Sequence, residues 1–135
     1  MVLFTACDHY YQYRLVGVWE VKKATILGVG IDLPINEGSF KKYMYLYFTS
    51  DGKYGIAEKI AGGNISILSK YDEFEYSVNG KDIIFKKNGI ESSGAFELIF
   101  NKLTLTGDFE GDKAIFETEK TRSPSLQEIR RAPKK

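Results

Sequence analysis

The chain has 135 residues with 19 Lys and Arg against 18 Asp and Glu, the size of a single domain that buries a core without help from a metal or a disulfide. Residues 122–135 hold five basic residues and one acid, leaving 14 basic and 17 acidic in the first 121, so a slightly acidic body carries a basic tail with too few charges to argue for nucleic acid. A single Cys and a single His exclude an internal disulfide and the usual zinc sets, and nine Tyr with nine Phe suit pleated, half-buried strands and an all-β class.

At the start, Leu3-Phe4-Thr5-Ala6-Cys7 looks like the end of a bacterial lipoprotein signal, in which small residues precede a cysteine that is cleaved and acylated. On that reading residues 1–14 are a signal remnant and tether, lipid attachment is at Cys7, and the chain reaches a membrane only through the anchor. The other reading is an apolar, frayed N-terminus. Tyr10, Tyr11 and Tyr13 belong either to the tether or to a segment lying over one end of the fold. The first strand runs from about Leu15 to Leu27, with Leu15, Gly17, Trp19 and Val21 on one face and Lys23 next in that row. Trp19 is the only Trp; it is best used to plug a core and needs a partner for its indole N–H, while Gly17 leaves room for a close neighbour. Gly28 to Lys41, with three Gly, a Pro and an Asn, reads as a long loop without alternation.

From Lys42 the chain becomes a meander whose registers follow from keeping apolar residues on one face. A three-residue loop, Ser50-Asp51-Gly52, pairs Phe48 with Tyr54 and Leu46 with Ile56, placing Met44, Ile56, Glu58 and Ile60 inside. Gly62-Gly63 pairs Ile60 with Ile65 and Glu58 with Ile67; Asp72-Glu73 pairs Tyr71 with Phe74; Asn79-Gly80 sets Tyr76 against Ile83 and Phe74 against Phe85. After a polar loop from Lys87 to Gly94, Phe96, Leu98 and Phe100 alternate. Asn101-Lys102 then pairs Phe100 with Leu103, and Gly111-Asp112 pairs Phe109 with Ala114. Nine candidate strands result, of which one, in the short runs between Ile65 and Val78, is surplus to an up-and-down antiparallel barrel of about eight. Closure is expected because an open sheet this long exposes two edges. Ser125 to Glu128 has capping-box spacing, so one or two helical turns precede Pro133 in a tail, 123–135, read as solvated.

No nucleophile stands with a usable base, since His9 and Cys7 lie on one extended lead-in, and no phosphate loop or metal motif is present. Asp108, Glu110 and Asp112 alternate, but Glu110 opposite Lys113 on a solvent face accounts for them better than calcium does. No cofactor or metal is expected. Glu58 is the unusual residue: a carboxylate among inward apolar neighbours is costly unless paired or solvated. It reads either as a polar anchor in a ligand cavity or as a group meeting water at an open mouth, and Lys23 is one candidate partner. Left unpaired and desolvated, its pKa would rise. Tyr43, Tyr45 and Tyr47 form a stripe on the outer face, reading by default as solvent-facing strand formers and otherwise as a contact surface.

Gly17-x-Trp19, the long first loop, the Phe48…Asp51-Gly52-x-Tyr54 hairpin and the meander to Thr121 resemble the bacterial lipocalin-like domains, calycin-type barrels of which many are envelope lipoproteins. Related small barrels such as the fatty-acid-binding proteins are the alternative resemblance, although the loop after the first strand lacks a clear helical pair. The resemblance covers about residues 13–122. It implies a barrel over 15–122 closed at the Gly17 and Trp19 end by Arg122, which stands where lipocalins carry an Arg across the Trp, and a place in the bacterial cell envelope. The function expected is non-catalytic: a cavity lined by Trp19, Phe48, Tyr54, Ile56, Ile67, Tyr71, Tyr76, Phe85 and Phe96 holds a small apolar or amphipathic ligand, oriented by Glu58 or a Tyr hydroxyl. The alternative is a structural or protein- or glycan-interaction module with a solid core. The sequence leaves the oligomeric state open.

Overall fold

Alternating apolar and polar residues fold most of the chain into antiparallel strands. The structure, a computed structural model, describes residues 12–109 and 112–135; Cys7, His9, Tyr10, Tyr11, Glu110 and Gly111, and the readings placed on them, lie outside the described residues. Strands β1 (Gly17–Ile26), β2 (Val29–Asp32), β3 (Ile35–Glu37), β4 (Phe40–Phe48), β5 (Lys53–Gly62), β6 (Ile65–Lys70), β7 (Phe74–Asn79), β8 (Asp82–Lys87), β9 (Ile90–Ile99), β10 (Lys102–Phe109) and β11 (Asp112–Thr121) are followed by helix α1 (Leu126–Arg131). Eight of them form a closed ring, β1-β4-β5-β7-β8-β9-β10-β11, because β1 pairs with β11 on one edge and with β4 on the other. A ring leaves no open edge to template aggregation.

The other three strands lie outside the ring. The surplus strand is β6, which pairs with β5 and not with β7, so the expected Tyr71–Phe74 pairing is replaced by β7 joining β5 at Tyr54–Phe74. The expected long loop is also corrected: β2 folds back on β1 and β3 on β4. Val29, Ile31, Leu33 and Ile35 do alternate, and β2 occupies the edge of β1 that β4 leaves free beyond Glu20.

The Ser50-Asp51-Gly52 hairpin has the expected register, with Phe48 opposite Tyr54 and Leu46 opposite Ile56. Four others are displaced. The loops are Gly63-Asn64, Gly80-Lys81, Phe100-Asn101 and residues 110–111, so the pairs are Ile60–Ile67, Tyr76–Phe85, Leu98–Leu103 and Gly107–Ala114. Each loop moved by one residue, which shifts pairing by two and leaves every side chain on its expected face; a two-residue side-chain period cannot distinguish such registers. The loop at 87–94 is instead a tight hairpin in which Asn88 (φ 52°) and Gly89 (φ 80°) take the left-handed conformations of a type I′ turn.

The inner faces form one apolar cluster that includes Leu15, Trp19, Leu46, Phe48, Tyr54, Ile83, Leu103, Leu105 and Phe116. A second cluster lies outside the ring, where Val18, Tyr45, Tyr47 and Ala57 receive Ile129 of α1. The tail is therefore docked on the barrel rather than free, and Tyr45 and Tyr47 of the tyrosine stripe do not face water. Ser125 caps α1 with a complete capping box, Ile129 is fully buried, and Tyr45 and Tyr47 are 1% and 0% exposed beneath it. Gly55, opposite Tyr47, makes room for the ring: a Cβ there would stand 2.5 Å from the tyrosine oxygen.

Candidate functional site

The two ends of the ring differ in how their inner faces are filled. At the end where β1 begins, Trp19 is 1% exposed and its indole N–H donates to the Leu15 carbonyl at 2.8 Å. The cation above the ring is Lys120, 5.2 Å from the centroid, and Arg122 is exposed. The correction follows from register: Lys120 is the residue directly opposite Trp19 on β11. Lys120 Nζ also donates to the Val16 carbonyl at 3.1 Å. Gly17 (φ 134°) clears its path, since a Cβ there would come within 3.1 Å of Lys120 Cε.

Phe48, Tyr54, Tyr76, Phe85 and Phe96 are all buried at this level and above it. They fill space by touching one another. Ring centroids are 5.0 Å apart for Phe48–Tyr76 and 4.7 Å for Tyr54–Phe85, within the range of favourable aromatic pairs. Tyr76 donates its hydroxyl to the Thr49 carbonyl at 2.9 Å, and burial pushes its pKa up to about 12.

Toward the other end the inner faces open. Met44, Ile56 and Phe74 point inward and are only partly buried. Ile26, Val29 and Ile31, on the inward row of β1 and β2, are 38%, 64% and 43% exposed and form an apolar rim. Glu58 sits in this mouth, 4% exposed. Its carboxylate accepts from the Tyr71 hydroxyl at 2.9 Å, lies 3.4 Å from Lys42 Nζ, and is ion-paired with Lys135. Burial, the largest single influence, pushes the Glu58 carboxyl up; the hydrogen bonds from Lys135 and Tyr71 and the charges of Lys42 and Lys135 outweigh it and hold the group below the usual carboxylate range. The expected rise is therefore reversed, because the group is desolvated but well paired.

Lys23 has no part in this. The ladder between β1 and β11 skips a residue between Val21 and Lys23, a bulge that puts Ala24 in the core and Lys23 in solvent. Glu58 also faces Ser69 across β5–β6 rather than Ile67. Ile67 itself, opposite Ile60 on the strand outside the ring, is 56% exposed, and Tyr71 is 39% exposed and reaches the site only through its hydroxyl.

Lys135 arrives by tertiary pairing. The Lys70 amide donates to the Pro133 carbonyl and the Lys135 amide to the Lys70 carbonyl, at 3.0 and 2.8 Å, so the end of the tail runs along β6 on the edge that does not pair with β7. Lys134 meets Asp72 at 2.8 Å, and Arg130 forks onto Glu73 at 3.0 and 3.1 Å. Beside this strap an open groove of about 740 Å³ is lined by Lys53, Tyr71, Phe74 and Lys87, among others. Among the described residues no buried side-chain nitrogen or oxygen lacks a partner.

Sequence reasoning missed Lys42, Lys120, Lys135 and the β2 rim. Lys42 precedes Met44 in the inward row of β4 and was legible by parity; the rim was legible in the alternation from Val29 to Ile35. Lys135 carries no local signal.

A closed eight-stranded antiparallel ring, plugged at one end by a Gly-x-Trp pair on the first strand and open at the other, defines a small calycin-type barrel. The lipocalin-like domain family matches residues 15–108, and the chain belongs to that family. Among solved structures the chain is similar to wild-type fluorescent protein UnaG, with 15% identity over 81% of this chain and 98% of that one and a TM-score of 0.38. It is equally similar to an asparagine-to-alanine mutant of UnaG, with 16% identity over 81% and 97% of the two chains and a TM-score of 0.38. No curated protein matches the chain.

Proposed function

We propose that this barrel is a non-catalytic binding protein that takes a small amphipathic molecule into the mouth around Glu58. One observation carries the reading: a buried carboxylate, paired with Tyr71, Lys42 and Lys135, stands among inward apolar residues, Met44, Ile56 and Phe74, that are not fully covered. Ligand sites combine such an apolar lining with a few polar groups that fix orientation. Among the residues named from sequence, Ile56 and Glu58 line the mouth directly and Tyr71 supplies a hydroxyl. Trp19, Phe48, Tyr54, Tyr76, Phe85 and Phe96 form its floor. The ligand carries a cation or a hydrogen-bond donor that takes the place of Lys135 on Glu58, with its apolar part on the rim of Ile26, Val29 and Ile31. We place the protein in a bacterial cell envelope, held by acylated Cys7, on the strength of the Leu3–Cys7 pattern and the envelope lipoproteins common in the family.

Calorimetric titration with a long-chain alkylammonium and the carboxylate of equal length tests the site. The ammonium is expected to bind more tightly, and Glu58→Gln to weaken it about tenfold, in keeping with a lost charge-assisted contact of about 1.4 kcal/mol. Equal affinity for the two probes, or no effect of Glu58→Gln, contradicts the reading. The alternative of a structural or interaction module draws on the mutual contacts of Phe48, Tyr54, Tyr76 and Phe85, but its tyrosine stripe is covered by α1.

A further inference from the structure

We propose that the closed end of the barrel docks on a lipid bilayer bearing anionic headgroups, with Phe100 and Tyr13 entering the interface and Lys120 and Arg14 meeting the phosphates. The two rings protrude. Phe100 is 89% exposed and Tyr13 80%, and Ile99 beside Phe100 is 54% exposed. Phe100 also holds φ at 54°, a conformation that bulky side chains rarely adopt, so the hairpin tip bears both an exposed apolar ring and backbone strain at the same residue. Strain of that kind is retained where surrounding structure enforces it, and here the Arg14 guanidinium donates to the Phe100 carbonyl at 3.0 Å.

Between the rings lies a depression of about 390 Å³, with Val16 and Trp19 among its lining and Arg14 and Lys120 as its charged groups; among the described residues none that lines it is acidic. Burial, and after it the neighbouring Arg14, lower the pKa of Lys120, and the two cationic side chains stand together in this depression. Aromatic side chains with adjacent cations are the combination that sits at the headgroup level of a bilayer. The docking does not depend on a ligand at Glu58.

The full chain, produced without acylation, is co-sedimented with phosphatidylcholine vesicles and with vesicles of phosphatidylcholine and phosphatidylglycerol. Binding to the mixed vesicles that weakens as salt rises is expected. Phe100→Gly should lower that binding about tenfold while the melting temperature stays level or rises, since glycine adopts the left-handed conformation freely. Ile90→Ser, at an exposed position beside the 88–89 turn of the opposite end, should leave it unchanged. Absence of binding to the mixed vesicles, binding unaffected by Phe100→Gly, or a loss on Ile90→Ser as large as that on Phe100→Gly overturns the proposal.

Discussion

Trp19 is held at its N–H by the Leu15 carbonyl and over its face by Lys120, and the two contacts differ in weight. Removing the buried ring leaves a large cavity, so Trp19→Ala should destabilise by about 3–5 kcal/mol. Lys120→Met forfeits an exposed cation–π contact and should cost about 0.5–1 kcal/mol, while Arg122→Ala should change little; chemical denaturation of the three variants measures this, and an Arg122→Ala loss exceeding that of Lys120→Met would contradict the arrangement. Sequence placed the Trp and its plug correctly because burial of the one indole is a strong local signal. The family resemblance pointed to Arg122, two residues beyond the Lys120 that the ladder sets opposite Trp19. Glu58 shows the same limit: its inward position was legible, its partners were not. Its folded pKa lies below the unfolded one, so the ionised group adds stability at neutral pH, and that contribution is lost as pH falls through the depressed folded value. Glu58→Gln should therefore cost about 1–2 kcal/mol at pH 7, and the gap from wild type should close as the pH drops below about 4. A gap that is constant down to pH 3 would contradict the pairing.

The segment after β11 is the element whose role departs furthest from its sequence. Its capping box was readable and the helix formed, but a helix of six residues has little stability of its own and persists by burying Ile129 against Tyr45, Tyr47 and Ala57. Ile129→Ala should cost about 2–4 kcal/mol, and hydrogen exchange should show lost protection at the Lys70 and Lys135 amides, which the strap pairs. Unchanged protection would mean that the strap docks independently of the helix. The alternation of Tyr43, Tyr45 and Tyr47 showed that one face of β4 was aromatic on the outside. Only tertiary structure showed what covers it. The hairpins teach the complementary lesson, since apolar alternation fixed which face each residue occupies and left the loop position free by one residue at four turns.

On the scale of the whole molecule, the barrel is graded along its axis. Interlocked aromatics fill the Trp19 end, and half-covered Met44, Ile56 and Phe74 surround a buried carboxylate at the other. The class of fold was legible because hydrophobic period and turn chemistry agree along most of the chain. The mouth was legible only in part, because its rim comes from a segment whose Gly and Pro content concealed a strand-like alternation and its second cation comes from the far end of the chain. The β6 strand outside the ring and the tail beside it wall the mouth, with Lys135 ion-paired to the carboxylate. The central claim is that a small amphipathic molecule occupies this mouth. Native mass spectrometry of the protein isolated from its own cells tests it most directly. The result predicted is a stoichiometric small-molecule adduct carrying a cation or hydrogen-bond donor, retained by wild type and reduced in Glu58→Gln; wild-type protein free of any adduct, or an adduct equally retained by Glu58→Gln, would contradict it.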